Sequence, residues 1–335
     1  MSGHGAGDLR APTDVLRGRR WRYWLNKLGP LLALLLVYGL FAATAPRSFS
    51  SATNLELMAR QTAVVGTAAV GMTFVIIAAG IDLSVGSIVA LATMVTAMLL
   101  NRDVGPLGAA LMGIGAGALC GLASGLVITG LRVLPFIGTL GMLLIVRGLA
   151  KYLGEEQKID APRTWLGDLL ASVSEERAWM LLPPGVWVLI ALTVLAAFFL
   201  HYTRMGRHIF AVGSNEATAR LCGVGVNRVK ILVYALCGAT AGLAGVLQFS
   251  RLNMGSPIAA VGLELDVIAA VVIGGGSLSG GEGSLLGSLA GALVITVIRS
   301  GCTQLDFSNY TQEMITGMII IGAVAIDRFR HRRAG

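Results

Sequence analysis

The sequence is poor in charged residues and lacks the motifs of the common soluble enzymes. Charged residues make up 13% of its 335 residues, about half the share of a soluble domain, which excludes an ordinary water-soluble protein. No lysine follows a glycine, so the GK[ST] signature of a P-loop ATPase cannot occur. The four histidines form no metal-binding cluster, and HExxH and GxSxG are absent. A membrane-embedded enzyme, one hypothesis for such a chain, therefore has no recognisable catalytic or metal-binding set.

Cysteines and intramembrane carboxylates are also scarce. The four cysteines (Cys120, Cys222, Cys237 and Cys302) show no CxxC spacing and lie in or beside apolar runs, so they are predicted to be packing residues without disulfides. A proton- or sodium-coupled carrier usually needs a relay of carboxylates inside the membrane. This chain has little from which to build one, so we expect its energy to come from another protein.

Apolar residues are abundant and are arranged in runs of membrane-spanning length. Hydrophobic residues make up 55% of the chain, and the 45 glycines suit the close packing of membrane helices. The sequence predicts an all-α, polytopic membrane protein of about ten transmembrane helices. The predicted spans are 29–45, 58–80, 83–101, 105–131, 133–152, 183–203, 230–250, 264–281, 283–300 and 311–326.

The distribution of charge predicts the orientation of these spans. A basic tail (1–27) precedes the membrane domain (28–327), and a second basic tail (328–335) follows it. The loop 154–182 has six acids against three bases, whereas the loop 204–230 has five bases against one acid. Because positive loops stay inside, we expect a multi-pass inner-membrane protein with both termini and the 204–230 loop in the cytoplasm, and 154–182 outside.

Two polar, glycine-rich breaks interrupt the apolar runs. They are GIDLSVGS (80–87) and GGGSLSGGEGS (274–284). Broken helices often mark transport paths, but a tight turn with Asp82 or Ser84 capping the next helix is the alternative. Their shared Leu-Ser and Gly-Ser pattern suggests an internal repeat, although the predicted topology places both breaks on the cytoplasmic side. An inverted repeat would place equivalent breaks on opposite sides.

The segment Arg204–Lys230 is a long polar stretch between two apolar runs, and its middle is predicted to be a short helix of about seven residues. Ser214 or Asn215 can cap its start, Glu216 suits its first turn, and Gly223 suits the position after its end. Glu216 and Arg220 are spaced for an i,i+4 ion pair, while Ala217, Leu221 and Val224 share another face. A helix this short needs a docking partner. It is either a solvated connector between two membrane helices or a coupling helix that is bound by a cytoplasmic, energy-supplying protein.

Four collinear stretches resemble the ribose-type sugar permease family of bacterial ABC importers. They are 80–87, LPFIGTLGMLLIVRGLA (134–150), GRHIFAVGSNEATARLCGV (206–224) and ELDVIAAVVIGGGSLSGGEGSLLGSLAGAL (264–293). The resemblance implies a type II importer fold with broken helices, in which two permeases, a homodimer as we expect, form the pore. It also implies separate ABC ATPase subunits below, an extracytoplasmic sugar-binding protein above, no cofactor, and a transport role rather than an enzymatic one.

The family's coupling pattern, Gly-x-Asn-Glu-x-Ala-Ala-Arg-x-x-Gly, favours the coupling-helix alternative. The resemblance assigns ATPase coupling to Gly213, Asn215, Glu216, Ala219, Arg220 and Gly223. The chain departs from the family at Thr218, Cys222 and Gly138, where the first of the paired alanines, a serine, and a valine or alanine are usual. All three are small residues, so we expect the docking geometry to be kept.

For the translocation path, the candidates are Asp82, Ser84 and Ser87, because a hydroxyl-rich sugar in transit needs a few weak hydrogen-bonding partners. Glu264 and Asp266 are predicted to cap a helix, with a role facing the receptor as the alternative. Arg147 is predicted to be a snorkelling or carbonyl-bound structural residue. The function predicted is import of a ribose-, xylose- or galactose-like monosaccharide, and a self-contained facilitator or secondary transporter is the alternative.

Overall fold

A computed structural model describes residues 12–173 and 179–332. The ends of the two predicted tails (1–11 and 333–335) and residues 174–178 of the predicted outer loop lie outside the described residues. The described chain is almost entirely helical, as the sequence predicts. Its α-helices are α1 (Pro12–Thr44), α2 (Ala52–Ile77), α3 (Val85–Leu100), α4 (Pro106–Gly130), α5 (Pro135–Leu153), α6 (Pro184–Tyr202), α7 (Arg204–Ser214), α8 (Glu216–Leu221), α9 (Val226–Leu252), α10 (Leu263–Ile273), α11 (Leu285–Gln304) and α12 (Asn309–Arg332).

Small irregular elements occupy the end of the protein away from α8. Two 3-10 helices, Arg47–Ser50 and Trp165–Leu170, lie there. A two-residue strand β1 (Ile159–Asp160) pairs antiparallel with β2 (Met254–Gly255). This ribbon joins the loop after α5 to the connection between α9 and α10.

Six helices of the described chain are long and apolar enough to cross a membrane: α2, α4, α5, α6, α9 and α11. The apolar part of α1 (Leu28–Thr44) and α3 are shorter, and α10 has only 11 residues, a length of about 16 Å. The structure supports a polytopic all-α protein, but it does not support the predicted count of ten spans. Two of the four predicted spans that fall short, those of α3 and α10, follow an irregular stretch of backbone, and the start of α3 is buried in the protein.

Helix α2 is the centre of the packing. Nearly all its residues from Thr62 to Ile77 are buried, and it contacts α6, α9, α10 and α11. By contrast, α4, α5 and α6 leave large apolar side chains exposed, among them Leu119, Leu144 and Leu195. These faces are suited to lipid or to another apolar surface, because a membrane protein has no need to hide them from its solvent.

The closest helix pair is α4 with α9, and glycines make the approach possible. A Cβ at Gly117 would overlap the Gly238 carbonyl oxygen, and one at Gly121 would overlap the Tyr234 carbonyl oxygen. Small residues at such interfaces allow extensive backbone contact where no hydrophobic effect drives association.

Two helix pairs and two short helices form much of the core. Helix α4 packs on α9, and α11 packs on α2, while α3 also contacts α9 and α10 also contacts α2. The start of α3 meets the start of α10, where a Cβ at Gly86 would overlap Glu264 and the Ala260 carbonyl oxygen. The internal repeat that the shared Leu-Ser and Gly-Ser pattern suggests stays a prediction.

Candidate coupling site

The segment between α6 and α9 contains two helices, where the sequence predicted one. Thr203 caps the first, α7, by accepting a hydrogen bond from the Gly206 N–H at 3.1 Å. Ile209 and Val212 are buried, and Met205 packs beside the core. Their i, i+4, i+7 spacing is the helical signal in the sequence that the prediction missed.

The second helix, α8, has the caps that the sequence predicts. Of the two candidates for its start, Asn215 makes the cap: its Oδ1 accepts from the Thr218 N–H at 2.9 Å. At its end Gly223 has φ +81° and donates its N–H to the Arg220 carbonyl oxygen at 3.1 Å. A left-handed glycine after the last turn ends a helix without strain on a side chain. The helix has six residues, Glu216–Leu221.

Glu216 joins α8 to α9. Its Oε1 pairs with Arg220 Nη2 at 3.1 Å, the predicted i,i+4 pair, and its Oε2 accepts from Lys230 Nζ at 2.7 Å. The hydrogen bond from Lys230 is the main reason that the pKa of the Glu216 carboxyl lies below its ordinary value, although partial burial acts in the other direction. The carboxylate is thus an anchor between two helices rather than a free surface charge.

Ala219 is the buried residue of α8, and the rest of the helix is exposed. The tip residue Leu221 is 89% exposed, together with its exposed neighbours Ala217, Thr218 and Cys222. The outer face of α8 therefore presents one large apolar side chain among small exposed residues.

The end of α7 packs directly against the end of α2, just before the first glycine-rich break, and against the middle of the second break. A Cβ at Gly213 would overlap the Ile77 carbonyl oxygen at the end of α2 and would lie 2.7 Å from the Gly281 nitrogen. The Gly281 N–H in turn donates to that Ile77 oxygen at 2.9 Å. The polar segment therefore contacts the central helix of the fold, in addition to continuing into α6 and α9.

The path candidates Asp82, Ser84 and Ser87 are all fully buried. Asp82 Oδ1 accepts hydrogen bonds from the Ser84 N–H at 2.9 Å and its hydroxyl at 2.5 Å, which organises the turn into α3. None of the three lines the cavity at Gln61 and Gln248, the cavity beside Glu216 and Lys230, or the cavity between α10 and α12. Their role in the translocation path stays a prediction.

The remaining charged candidates have structural partners. Asp266, which is buried, forms an ion pair with Arg299 of α11, and both Glu264 and Asp266 lie in the first turn of α10. Arg147 donates to the carbonyl oxygens of Pro257 at 2.9 Å and Ala259 at 2.8 Å. It is carbonyl-bound, as one of the two predicted alternatives states, and holds the connection before α10 against α5.

Two further features of the described residues concern cysteine and metal chemistry. All four cysteines lie within the described part and are free, and Cys222 is the exposed one. Within residues 12–173 and 179–332, no group of three or more His, Cys, Asp or Glu side chains is arranged to hold a metal ion.

Comparison with known proteins places the chain in a transport family. Residues 54–324 match the family described as branched-chain amino acid transport system / permease component. The ribose import permease protein RbsC of Escherichia coli (strain K12) is 39% identical over 317 residues, which cover 94% of this chain and 98% of the relative. RbsC of Bacillus subtilis (strain 168) is 39% identical, covering 91% and 93%.

A permease named for another sugar is also similar. The L-arabinose transport system permease protein AraH of Escherichia coli (strain K12) is 32% identical, covering 94% of this chain and 93% of the relative. No solved structure matches the chain. The match extends from α2 into α12 and includes the coupling segment with both of its helices. The chain therefore belongs to the permease family of ABC importers, among its ribose-type members.

Proposed function

We propose that this protein is the membrane-spanning permease subunit of an ABC importer for a monosaccharide. The observation that carries the proposal is the helix α8, a short capped helix with an exposed apolar tip, in a chain that aligns over nearly its full length with ribose permeases. The subunit forms the passage for the sugar, and other subunits hydrolyse ATP. We expect a ribose-, xylose- or galactose-like sugar, and relatives named for ribose import support the first of these.

The proposed partners follow from this assignment. ABC ATPase subunits bind the cytoplasmic end at α8, and an extracytoplasmic sugar-binding protein delivers the sugar at the opposite end. A second copy of the chain completes the pore, and the exposed apolar faces of α4, α5 and α6 provide surface for that copy and for lipid. The six residues of the coupling pattern, from Gly213 to Gly223, are the proposed contact region for the ATPase.

We propose that all ten apolar helices take part in the membrane domain, with both termini in the cytoplasm. The apolar part of α1, together with α3, α10 and α12, would be embedded with the six longer helices although α3 and α10 do not cross the full thickness alone. Support comes from the basic charge of the 204–230 loop and of both tails. The loop 154–182 would then lie outside.

Movement of the ATPase subunits would displace α8, and this displacement would reach the core through two contacts. The Glu216–Lys230 bond joins α8 to α9, and Gly213 transmits displacement of α7 to the end of α2. Because packed cores switch between discrete arrangements rather than deform continuously, a shift at α8 would favour one of two packings of the helices. The Gly213 contact adds α2 to the two helices, α6 and α9, that sequence continuity implies.

The experiment that tests this function separates an ATP-driven importer from a self-contained facilitator. The purified permease is reconstituted in liposomes alone, and in parallel with its ATPase and sugar-binding protein. We expect uptake of radiolabelled D-ribose or L-arabinose only when all partners and ATP are present. Rapid sugar entry with the permease alone would contradict the proposal and support the facilitator.

A further inference from the structure

A polar cavity of about 360 Å³ lies at the end of the protein away from α8, between α2, α9, α11 and α12. Its position follows from the directions of these helices. Arg251 is next to the last residue of α9, whose start follows α8 in the chain, and Gln61 is in the first half of α2, whose last residue contacts α7. The cavity is thus on the side that the proposed topology places outside.

Side-chain amides from three helices point into this cavity, and their hydrogen-bonding capacity is largely unused. Gln61 has no hydrogen bond to any described residue, and Gln248 makes a single one, accepting from Arg251 Nη1 at 3.5 Å. The Gln312 side-chain amide donates to the Phe307 carbonyl oxygen at 2.9 Å and to the Thr303 hydroxyl at 3.4 Å, while its Oε1 has no partner among the described residues. Polar side chains in membrane helices are costly unless a partner binds them. The cavity therefore offers donors and acceptors to a ligand or to water.

The walls between these amides combine aliphatic side chains with the hydroxyls of Thr296 and Thr303. Val64 and Val65 of α2 and Leu263 of α10 line the same space. A pyranose or furanose ring has hydroxyls around its rim and C–H groups on its faces, so it needs this combination of amides and aliphatic walls. The volume also lies within the range of sites for small molecules.

The balance of donors and acceptors in the cavity favours a hydroxyl-rich ligand. Arg299 is paired with Asp266, Arg251 has no ion-pair partner among the described residues and donates to Gln248, and no carboxylate is among the residues that line the cavity. Amides present donors and acceptors in equal number, which suits hydroxyl groups, since each hydroxyl both donates and accepts. An anion would use only the donors and would leave the amide oxygens unbound.

We propose that this cavity holds a neutral, hydroxyl-rich monosaccharide on the outer side of the permease, with Gln61, Gln248 and Arg251 binding its hydroxyls. The inference rests on the proposed function and adds a binding site within one subunit to it. The site differs from the path candidates around Asp82, which are enclosed in the core.

Thiol labelling tests occupancy of the cavity. Cys222 is replaced by serine to remove the exposed native thiol, and cysteine is introduced by Gln61→Cys or Gln248→Cys. Each permease is assembled with its partners in proteoliposomes, and the rate of reaction with a membrane-impermeant maleimide added from outside is measured. We expect D-ribose or L-arabinose to slow the reaction, whereas sucrose at equal osmolality does not. Gln157→Cys, on the exposed loop after α5, is the matched control and should be unaffected.

Three outcomes would overturn the inference: labelling that no monosaccharide slows, no labelling from the outside at all, and protection by D-gluconate in preference to the neutral sugars. The last would identify the ligand class as anionic.

Uptake measurements separate this inference from the proposed function. Gln61→Ala and Gln248→Ala should each lower uptake at limiting sugar by roughly two- to tenfold, the effect of one lost hydrogen bond, while Gln157→Ala is unchanged. ATP-dependent uptake that is normal in both cavity variants would contradict the site and leave the importer function intact. Absence of ATP-dependent uptake in the wild type would contradict the function, and the labelling result would still report on the cavity. Proper folding of each variant is checked by its thermal unfolding in detergent.

Discussion

Gly213 lies against the carbonyl oxygen of Ile77 so closely that no side chain fits between α7 and the end of α2. This contact connects a residue of the polar segment with the central helix of the membrane domain. In the proposed function, an ATPase bound at α8 would have a direct route to the core through this contact, because the helices α7 and α8 share the capping residue Asn215.

Gly213→Ala should disrupt this contact. The added methyl group would overlap backbone atoms, which cannot move aside as a side chain would, and overpacking of this kind costs about 1–3 kcal/mol. We expect a lower temperature of unfolding in detergent and less sugar uptake per ATP hydrolysed. Gly225→Ala is the control, since the nearest atom to its Cβ would be at 3.6 Å. Equal behaviour of the two variants would show that the Gly213 contact does not matter.

Leu221→Asp should weaken binding of the ATPase without affecting the fold. The side chain is 89% exposed, so the isolated permease loses no packing, whereas a charged residue at the centre of an apolar interface is costly. We expect co-purification of the ATPase to fall while the unfolding temperature is kept. Leu181→Asp, an exposed leucine just before α6 at the opposite end, should bind the ATPase normally. If both variants bind it equally well, α8 is not the docking helix.

The bond between Glu216 and Lys230 predicts how the attachment of α8 depends on pH. The pKa of Glu216 is lower in the folded protein than its ordinary value of 4.5. The stabilisation of α8 against α9 by the Glu216–Lys230 bond is therefore complete above that ordinary pKa. It is lost as the pH falls through the lower, folded-state pKa. A fluorophore on the exposed Cys222 measures the mobility of α8 by its anisotropy.

We expect this anisotropy to be constant from neutral pH down to about pH 5, the region above the ordinary pKa, and to fall in more acidic buffer. Glu216→Gln should give the low value already at neutral pH. Glu216→Lys should also insert into the membrane but reduce ATPase co-purification and uptake. Normal uptake with Glu216→Lys would be strong evidence against coupling at α8.

Removal of one partner of the ion pair between α10 and α11 should be more damaging than removal of both. Arg299→Gln leaves Asp266, which is 1% exposed, as an unpaired buried charge, and this typically costs about 3–5 kcal/mol. Arg299→Gln combined with Asp266→Asn should recover much of the loss. Chemical denaturation in detergent measures the free energy of unfolding of each variant. Additive effects of the two substitutions would contradict the interaction.

Local sequence patterns predicted much of the polar segment. Asn215 and Gly223 cap α8 because capping depends on residues within three or four positions of each other. The i,i+4 pair of Glu216 and Arg220 follows from helix geometry for the same reason. Helix α7 was missed because the one apolar face of this eleven-residue helix, formed by Met205, Ile209 and Val212, gives a weak signal beside strong glycine and charge signals.

The sequence by itself determined that this is an all-α membrane protein, that the 204–230 segment contains a short capped helix, and that the chain resembles sugar permeases. Apolar runs, caps and charge bias act over a few residues or over bulk composition, so they can be recognised without coordinates. Only the tertiary structure decided that Lys230 completes the anchoring of Glu216, that α3 starts inside the protein, and that Gln61, Gln248 and Gln312 surround one cavity. These relations join residues far apart in the chain, and they depend on how the helices pack, which no local pattern specifies.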